Sequence, residues 1–232
     1  MDTKNKKSAD NRVAVIVAGG IGRRMNTGIP KQFQLLRGIP LLMHTVRRFY
    51  DYDSTIEIRI VLPDELTGTW KELCAKHDFS VPHRIFPGGK TRSHSVRNGL
   101  TGLEPGLVVA VHDGVRPLVS SATLERCYQL AAEKGSAIPV FALTDSIREI
   151  RKNSSVARER NRYRTVQTPQ VFRSEWIIEA YDSVSEGSFT DDATVVENRG
   201  FPIYLTEGNE ENIKITTPKD LRIAEVLFDL VQ

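Results

Sequence analysis

Short apolar runs alternate along most of the chain with stretches whose apolar residues recur at helical spacing. Residues 13–17 (VAVIV) contain no polar position, which is typical of a strand buried on both faces of a parallel sheet. Residues 40–50 instead repeat apolar side chains along one helix face. Because this alternation continues toward the C terminus, the chain predicts repeated strand–helix units.

The remaining elements follow from the same two patterns. Strands are predicted at residues 57–62, 83–86, 107–112, 136–143, 203–206 and 213–215. Helices are predicted at residues 66–77, 91–103, 121–134, 174–185 and 191–199, and a last helix begins at Thr217 and Pro218, a cap followed by proline in the first turn. This order predicts an α/β fold with a mostly parallel sheet.

Residues 144–163 interrupt the regular pattern. They are rich in charge and poor in apolar side chains, with Ile147 and Ile150 as the main apolar positions. Such a stretch is either a projecting hairpin or a disordered loop, and the residues alone leave both interpretations open.

Composition excludes several classes of protein. Lysine and arginine total 32 against 29 acidic residues, and the resulting net charge of +3 does not suggest a nucleic-acid coat or a membrane-surface protein. The two cysteines, Cys74 and Cys127, form no CxxC pair, so neither a zinc site nor a disulfide framework is expected. No apolar run approaches the ~20 residues of a membrane helix, and residues 1–10 lack the apolar core of a secretory signal. We therefore expect a cytoplasmic protein without nucleic-acid or membrane partners, with a mobile tail at residues 1–11 and a single domain over residues 12–232.

The first predicted strand runs into a glycine-rich turn, AGGIGRRM, which Pro-Lys-Gln follows shortly afterwards. Ligands of open α/β sheets bind at the carboxyl ends of strands. Gly19, Gly20 and Gly22 let the backbone approach a phosphate closely, and Arg24 and Lys31 add positive charge. A tight turn with solvated arginines is the alternative, but cationic side chains so close to the glycines favour phosphate binding.

Two common nucleotide-binding motifs do not fit this chain. A dinucleotide-binding GxGxxG motif would need a glycine where Met25 stands. A P-loop that ends at Gly89-Lys90-Thr91 would need a glycine in place of Arg84. The glycine turn therefore predicts a phosphate site of another type.

Three later polar residues lie in or beside predicted strands. Asp113 and Arg116 follow the run at 107–112, where they suit a metal and a phosphate, although a buried ion pair between them fits about equally well. Lys214 stands in the middle of the strand predicted at 213–215, a costly position unless its ammonium group faces a cleft or an anion. We therefore expect Lys214 to neutralise phosphate.

The segments AGGIGRRM and PKQF resemble the signature of the 2-C-methyl-D-erythritol 4-phosphate cytidylyltransferases, enzymes of the non-mevalonate isoprenoid pathway. Ribitol-5-phosphate cytidylyltransferases share much of this signature. The resemblance continues through PGGKTRSHSV, HDGVRP, TDSI, QTPQ, TDDA and NIKITTP, so it covers nearly the whole chain. It implies a Rossmann-like, GT-A-like nucleotidyltransferase fold with helices flanking the sheet, and it makes residues 144–163 a projecting β-arm for dimerisation.

The resemblance also implies roles for individual residues. For the nucleotide it implies Ala18, Gly19, Gly20, Gly22, Gly88, Gly89, Ser95, Asp113 and Arg116, with Arg92 in support. For the sugar phosphate it implies Ser146, Arg160, Thr168 and Thr190. Thr168 would donate a hydrogen bond to the substrate, and Arg160, in the returning strand of the arm, would reach the site of a second subunit. Thr190-Asp191-Asp192 fits a plain helix N-cap equally well. Many relatives carry an acidic residue where Lys90 stands, so only a backbone role carries over at that position.

The implied reaction is an in-line attack by a sugar-phosphate oxygen on the α-phosphorus of CTP, with pyrophosphate leaving. Because the nucleophile is already an anion, no strong general base is needed, and no Ser/His/Asp or Cys/His set is evident in the sequence. Arg24, Lys31 and Lys214 are the expected catalytic residues, since they would offset charge on the phosphates. Mg²⁺ is the expected cofactor, with Asp113 as a direct or indirect ligand.

The residues leave two alternatives open. A ribitol-5-phosphate cytidylyltransferase would use the same kind of site for a different polyol phosphate. A non-catalytic module, either an NAD-binding domain or a nucleotide sensor, would bind a nucleotide without releasing pyrophosphate, although Met25 argues against NAD.

Overall fold

A computed structural model of the chain describes residues 11–20, 28–183 and 189–231. Its strands are β1 (Arg12–Val17), β2 (Leu35–Leu36), β3 (Ile39–Pro40), β4 (Glu57–Leu62), β5 (Arg84–Pro87), β6 (Val108–Asp113), β7 (Ser136–Ala142), β8 (Ile147–Arg151), β9 (Ser154–Arg158), β10 (Arg164–Val166), β11 (Gln170–Arg173) and β12 (Leu205–Glu207). Its helices are α1 (Leu41–Tyr52), α2 (Asp64–Lys76), α3 (Arg92–Leu100), α4 (Ser121–Lys134), α5 (Ser174–Ser183), α6 (Asp192–Asn198) and α7 (Pro218–Leu227). Short 3-10 turns lie at Lys31–Phe33, Arg160–Arg162 and Phe228–Leu230.

The main sheet has the strand order β10-β7-β11-β6-β1-β4-β5, and β12 pairs with β7 beside this path. β1 runs parallel to both neighbours, with Val15 opposite Arg59 of β4 and Val111 of β6. The β4–β5 and β7–β12 pairs are also parallel, whereas β11 is antiparallel to β6 and β7, and β10 is antiparallel to β7. The predicted α/β fold with a mostly parallel sheet is therefore confirmed, but β10 and β11 have no counterpart among the predicted elements.

Helices cover both faces of this sheet. Along β1, Ala14 and Ile16 pack into a core with α1, α2 and α4, while Val13 and Val15 pack into a core with α3, α5 and α6. All four side chains are at most 2% exposed. The run at residues 13–17 is apolar throughout because neither face of this central strand meets water.

The segment at residues 213–215, predicted as a strand, is not one. Ile215 donates its N–H to the Val115 carbonyl at 3.0 Å, but the three residues join no strand ladder. An apolar-polar-apolar triplet is too short to distinguish a strand from an extended segment anchored by its two isoleucines. Lys214 therefore lies on irregular backbone just before α7.

The caps of two helices agree with the expected chemistry. At the start of α7, Thr217 accepts the Asp220 N–H at 3.2 Å and Asp220 accepts the Thr217 N–H at 2.9 Å, a reciprocal capping box with Pro218 in the first turn. Helix α4 also begins at a serine cap, but the capping residue is Ser120 rather than the Ser121 at the start of the predicted span.

Residues 147–158 form a two-stranded hairpin, β8–β9, whose strands pair with each other and not with the main sheet. Ile150 is 80% exposed near its tip. Of the two interpretations of the charge-rich stretch, the projecting hairpin is confirmed. Arg160, however, begins a 3-10 turn after β9 and does not lie in the returning strand itself.

Among the residues that the structure describes, no helix combines the length and the apolar composition needed to cross a bilayer. Residues 1–10 of the expected tail lie outside the described residues. Asn11, the last residue assigned to that tail, accepts the Val108 N–H at 2.8 Å through its carbonyl and is therefore tied to the sheet.

Candidate active site

A cavity of about 270 Å³ opens at the carboxyl ends of β1 and β6, between the turn that follows β1 and the turn that precedes α3. It is lined by Val17, Ala18, Gly19, Gly20, Lys31, Gly89, Lys90, Thr91, Arg92, Ser95, Asp113, Val115 and Lys214. A larger cavity, about 380 Å³, lies between α1 and Phe228. We assign the function to the smaller cavity because, of these two cavities, it is the one where strand ends and glycine turns of the described residues converge, as ligand binding to open α/β sheets requires.

The end of β1 is held by backbone and side-chain hydrogen bonds. Ala18 donates its N–H to the Val61 carbonyl at 2.9 Å, and its own carbonyl accepts a hydrogen bond from the buried Gln32 side chain at 2.7 Å. Gln32 therefore links the Pro-Lys-Gln segment to the glycine turn. Sequence reasoning gave this glutamine no role, although its place next to Lys31 was a usable signal.

Lys31 lies directly against the backbone of Gly20. A Cβ atom added at Gly20 would stand 2.6 Å from Cε and 2.8 Å from Nζ of Lys31. These separations are far shorter than ordinary carbon contacts of ~3.5–4.0 Å. The missing side chain at Gly20 is thus what allows the ammonium group to reach this wall of the cavity.

The opposite wall is the turn before α3. Gly89 donates its N–H to Ser95 Oγ at 3.0 Å, and the Ser95 hydroxyl donates to the Thr91 carbonyl at 3.0 Å. Thr91 caps the helix by accepting the His94 N–H at 3.1 Å. A side chain at Gly89 would collide with His94, whose Cβ lies 2.5 Å from the position of an added Cβ. The turn therefore requires glycine at this position, and the backbone of Gly89 lines the cavity directly.

Asp113, at the end of β6, is the charge centre of the cavity. Its Oδ2 lies 3.0 Å from Lys214 Nζ and 3.2 Å from Arg116 Nε, and its Oδ1 lies 3.8 Å from Arg92 Nε. Burial alone would raise the pKa of Asp113, but the charges of Lys214, Arg92 and Arg116 together outweigh burial and hold that pKa well below its usual range. Asp113 is therefore an anion throughout the neutral pH range.

His112 is buried next to Asp113 in the chain and contacts two residues that themselves bond to Asp113. Its ring lies 3.0 Å from the Arg116 carbonyl through Nε2 and 3.1 Å from Thr168 Oγ1 through Nδ1. Desolvation by burial lowers the pKa of His112 to about 4, so the ring is neutral near pH 7. A neutral ring that donates from Nε2 to a carbonyl must accept at Nδ1. The Thr168 hydroxyl is therefore the donor in its hydrogen bond with His112.

The predicted role of Thr168 as a donor to the substrate does not agree with this geometry. Its side chain donates to His112, and its oxygen accepts the Asp113 N–H at 3.0 Å. The residue is 5% exposed and does not line the cavity. Its one hydroxyl proton is already used, so in this conformation Thr168 fixes the strand end that carries Asp113.

Arg116 likewise departs from its predicted contact with the nucleotide. Besides its ion pair with Asp113, it donates from Nη1 to the Asn212 carbonyl at 2.7 Å, and it does not line the cavity. Of the two interpretations of this Asp–Arg pair, the structure favours the ion pair.

The other predicted residues divide into three groups. Ala18, Gly19, Gly20, Lys31, Gly89, Ser95, Asp113 and Lys214 meet at the cavity. Gly88, Ser146, Arg160 and Thr190 are absent from its lining, and Ser146, Arg160 and Thr190 are exposed. Gly22 and Arg24 lie outside the described residues, so the predicted convergence of three cations on the cavity holds for Lys31 and Lys214 and stays a prediction for Arg24.

Asp191 and Asp192 differ in role, although the sequence suggested one helix cap for both. Asp191 is the cap of α6 and accepts the Thr194 N–H at 3.1 Å. Asp192 turns inward and binds both terminal nitrogens of Arg92, at 2.8 and 2.7 Å. A pattern of adjacent acids cannot distinguish the two, because the partner arginine is distant in the chain.

The site combines a mostly parallel α/β sheet that has glycine turns at its strand ends with two lysines from distant segments in one cavity with a strand-end carboxylate. This is the arrangement of a nucleotidyltransferase. Comparison with known proteins identifies the family within this class of enzymes. The model of the 2-C-methyl-D-erythritol 4-phosphate cytidylyltransferase family matches residues 12–229. The chain belongs to this family of enzymes.

Individual relatives agree with the family assignment. A 2-C-methyl-D-erythritol 4-phosphate cytidylyltransferase from Porphyromonas gingivalis is 52% identical over 218 residues, which cover 94% of this chain and 97% of that protein. One from Bacteroides thetaiotaomicron is 48% identical over 214 residues, covering 92% and 98%. A crystal structure of 4-diphosphocytidyl-2C-methyl-D-erythritol synthase from Anaerococcus prevotii superposes with a TM-score of 0.82 at 25% identity, covering 95% of this chain and 98% of that one. These likenesses favour the erythritol interpretation over a ribitol-phosphate enzyme or a non-catalytic nucleotide-binding module.

Proposed function

We propose that the chain transfers the cytidylyl group of CTP to 2-C-methyl-D-erythritol 4-phosphate and releases pyrophosphate, by an electrostatic mechanism centred on the cavity at the ends of β1 and β6. The observation that carries this mechanism is the presence of Lys31 and Lys214 in one cavity with the Gly19–Gly20 backbone and Asp113. Membership of the cytidylyltransferase family supports the choice of CTP and of the polyol phosphate.

The reaction forms a bond between a phosphate oxygen of the sugar phosphate and the α-phosphorus of CTP. It breaks the bond between the α-phosphorus and the oxygen that bridges to the β-phosphate, so the electron pair of that bond leaves with pyrophosphate. Both reactants are anions, and the barrier arises from their repulsion and from charge that develops at the phosphoryl oxygens. Fixed positive groups lower such a barrier because they need no reorganisation as the reaction proceeds.

Lys31 and Lys214 supply these positive groups in the proposal. Lys31 is held against Gly20, where its ammonium group faces the turn expected to carry the α-phosphate. Lys214 is 40% exposed and 3.0 Å from Asp113, so it is anchored at one oxygen and still open to the reacting phosphates. Arg24, which lies four residues beyond Gly20 in the sequence and outside the described residues, is proposed as a third cation on the same phosphates.

The nucleoside portion would lie against the turn before α3. Gly89 and Ser95 line that side of the cavity, and the N terminus of α3 favours the electron-rich edge of a base. Gly88 donates its N–H to the Leu62 carbonyl at 2.6 Å, so its contribution would be to shape the turn. Ala18 and Gly19 would complete the nucleotide wall at the end of β1.

Mg²⁺ is proposed as the cofactor, and the residues present fit it in one specific way. Among the described residues, no group of three His, Cys, Asp or Glu side chains could enclose a metal ion. Asp113 is the one carboxylate among the described residues that line the cavity, which suits an ion held mainly by phosphate oxygens and water. When bound, Mg²⁺ would supply further positive charge to the triphosphate.

The β8–β9 hairpin is proposed as a dimerisation arm. Ser146 and Arg160 flank it and lie outside the cavity of their own chain, and Ile150 exposes an apolar side chain that a second subunit would cover. Covering this side chain with a second subunit would remove its apolar surface from water and so favour association. Arg160 would then serve the sugar phosphate in the partner's cavity, and Thr190 the same substrate in its own.

Pyrophosphate release tests the proposal. The protein is incubated with Mg²⁺ and CTP, and separately with 2-C-methyl-D-erythritol 4-phosphate, ribitol 5-phosphate or no acceptor. We expect turnover with the erythritol phosphate and very little with ribitol phosphate, and very little when ATP or UTP replaces CTP. Preference for ribitol phosphate would refute the acceptor, and CTP binding without pyrophosphate release would refute the transferase mechanism.

A further inference from the structure

A buried carboxylate stands behind the cavity wall. The Asp192 side chain is 0% exposed and does not line the cavity. Its Oδ1 and Oδ2 accept from Nη1 and Nη2 of Arg92 at 2.8 and 2.7 Å, which is a bidentate fork. The Tyr181 hydroxyl donates to the same Oδ1 at 2.6 Å. Three elements, α3, α5 and α6, therefore meet at one carboxylate.

The fork determines where Arg92 lies. A bidentate guanidinium–carboxylate pair fixes the plane of the guanidinium as well as its distance. With Nη1 and Nη2 both directed at Asp192, the remaining Nε faces Asp113 Oδ1 at 3.8 Å, too far for a hydrogen bond. Arg92 is thus held in the cavity wall near Asp113 without closing on it.

This arrangement separates the two oxygens of Asp113. Oδ2 is taken by Lys214 and Arg116, at 3.0 and 3.2 Å. Oδ1 has Arg92 as its cationic neighbour among the described residues, and the charge of Arg92 is offset by Asp192. If Asp192 lost its charge, Asp113 would become the acidic partner left to Arg92, and Coulomb attraction would draw the guanidinium onto Oδ1.

We propose that Asp192, seated by the Tyr181 hydroxyl, is a positioning residue for nucleotidyl transfer: it holds Arg92 back from Asp113, so that Asp113 Oδ1 stays open to the bound nucleotide. The inference rests on the proposed function, since it takes this cavity as the nucleotide site. A purely structural role, in which the pair only ties α3 to α6, would lower stability and leave nucleotide binding unchanged once the protein is folded.

Two buried tyrosines provide a matched test. Tyr181→Phe removes the hydroxyl that seats Asp192, whereas Tyr128→Phe removes a hydroxyl that donates to the Val13 carbonyl at 2.9 Å, at the opposite end of β1 from the cavity. Both side chains are 1% exposed, so both variants lose a buried hydrogen bond. We expect Tm to fall for both, and to fall further for Tyr181→Phe because its acceptor is a charged carboxylate. Only Tyr181→Phe should raise the KM for CTP, about three- to tenfold.

The kinetic signature is specific. An interaction that serves bound CTP equally in the ground state and the transition state changes KM and not kcat. We therefore expect kcat and the KM for the sugar phosphate to stay within about twofold of the wild type. An equal effect of the two tyrosine variants on the KM for CTP, or an effect of Tyr181→Phe confined to kcat, would overturn the proposal.

A double-mutant cycle tests whether Asp192 acts through Arg92. Asp192→Asn should raise the KM for CTP about tenfold, by analogy with residues that orient ligands in other sites. If it acts through Arg92, adding Arg92→Lys should cause little further rise, whereas additive effects would contradict the proposal. If Asp192→Asn does not fold, the KM values for CTP of Tyr181→Phe and Tyr128→Phe test the proposal by themselves.

Failure of the proposed function is distinguishable from failure of this inference. If the wild type releases no pyrophosphate, the transferase proposal fails. Calorimetric titration of CTP into the two tyrosine variants then still measures whether Tyr181→Phe selectively weakens nucleotide binding.

Discussion

Gly20→Ala is the substitution for which the structure gives the sharpest expectation. The new methyl group would lie 2.6 Å from Cε and 2.8 Å from Nζ of Lys31, and these are its two nearest contacts among the described residues that are not adjacent to Gly20 in the chain. The atoms in the way belong to the far end of a flexible side chain. The backbone at Gly20 is not in the left-handed region, so alanine fits its conformation. The substitution should therefore displace the ammonium group and leave the fold intact.

The size of the effect follows from this displacement. Ordinary carbon contacts of ~3.5–4.0 Å require the end of Lys31 to move by about 1 Å or to change rotamer, at a stability cost of about 1 kcal/mol or less. A misplacement of about 1 Å at a catalytic group can lower the rate ~100-fold. This factor equals about 2.7 kcal/mol in the barrier, the lower end of the ~2.7–4 kcal/mol lost with one preorganised donor.

Steady-state pyrophosphate release, with Tm measured in parallel, is the assay. Lys31→Met gives the effect of removing the ammonium group altogether and should lower kcat by ~10²–10³. Gly68→Ala is the matched control, because it lies at an exposed position of α2 where the added methyl group meets no described atom within 4 Å apart from its chain neighbours and the backbone of its own helix. That control should keep full activity and gain about 0.5–1 kcal/mol of stability from better helix propensity.

Two results would refute the reasoning. If Gly20→Ala retains kcat within about threefold while Lys31→Met loses it, the close approach of Lys31 to Gly20 does not position the catalytic ammonium group. If Lys31→Met itself remains active, the lysine has no part in the transfer.

Three further predictions concern other parts of the molecule. Lys214→Met removes the cation 3.0 Å from the strand-end carboxylate and should lower kcat ~100-fold or more. It should also lower Tm, because the buried Asp113 carboxylate loses one of the cations that offset its burial; an unchanged kcat in the folded variant would exclude the lysine from the reaction. Burial lowers the pKa of His112 to about 4, against ~6.5 in the unfolded chain. The unfolded state therefore takes up a proton first as the pH falls, and the free energy of unfolding should drop by about 3 kcal/mol between pH 7 and pH 4 on account of this residue. Burial also lowers the pKa of His44, so His44 likewise makes the free energy of unfolding fall as the pH falls. In urea unfolding, the free energy of unfolding of His112→Asn should therefore depend less on pH than that of the wild type, but it should still fall toward pH 4. Ile150→Asp should weaken the proposed dimer in sedimentation analysis, whereas Val226→Asp, at another exposed apolar side chain, should not; equal behaviour of the two variants would argue against the arm as the interface.

The central part of the fold could be predicted from sequence because its signals are local. Residues 13–17 are apolar at every position, and β1 is indeed covered on both faces. The capping box of α7 is also local, since Thr217 and Asp220 are three positions apart and each side chain bonds to the other's backbone N–H. The strand predicted at 213–215 was wrong because a triplet carries no pairing information, and pairing depends on which neighbour lies alongside.

The candidate site could be predicted in outline for the same reason. Glycines and cations at the ends of apolar runs indicate a phosphate site wherever parallel strands end together. The pattern located Gly20, Lys31, Asp113 and Lys214, which do line one cavity. It could not state which polar groups were already satisfied by protein partners. Arg116 was assigned to a phosphate for that reason, yet it pairs with Asp113. The family resemblance, which implied that Thr168 donates to the substrate, likewise could not reveal its hydrogen bond with His112.

The sequence by itself determined the alternation of the main strands and helices, the capping chemistry at the start of α7 and the residue types available at each strand end. These properties depend on neighbours a few positions apart, whose spacing is fixed by helix and strand geometry. Only the tertiary structure decided which charges meet. Arg92 and Asp192 stand 100 positions apart, and their fork forms because α3 and α6 pack on the same face of the sheet. Electrostatic pairing acts over a few ångströms of space and carries no trace in the spacing of residues along the chain.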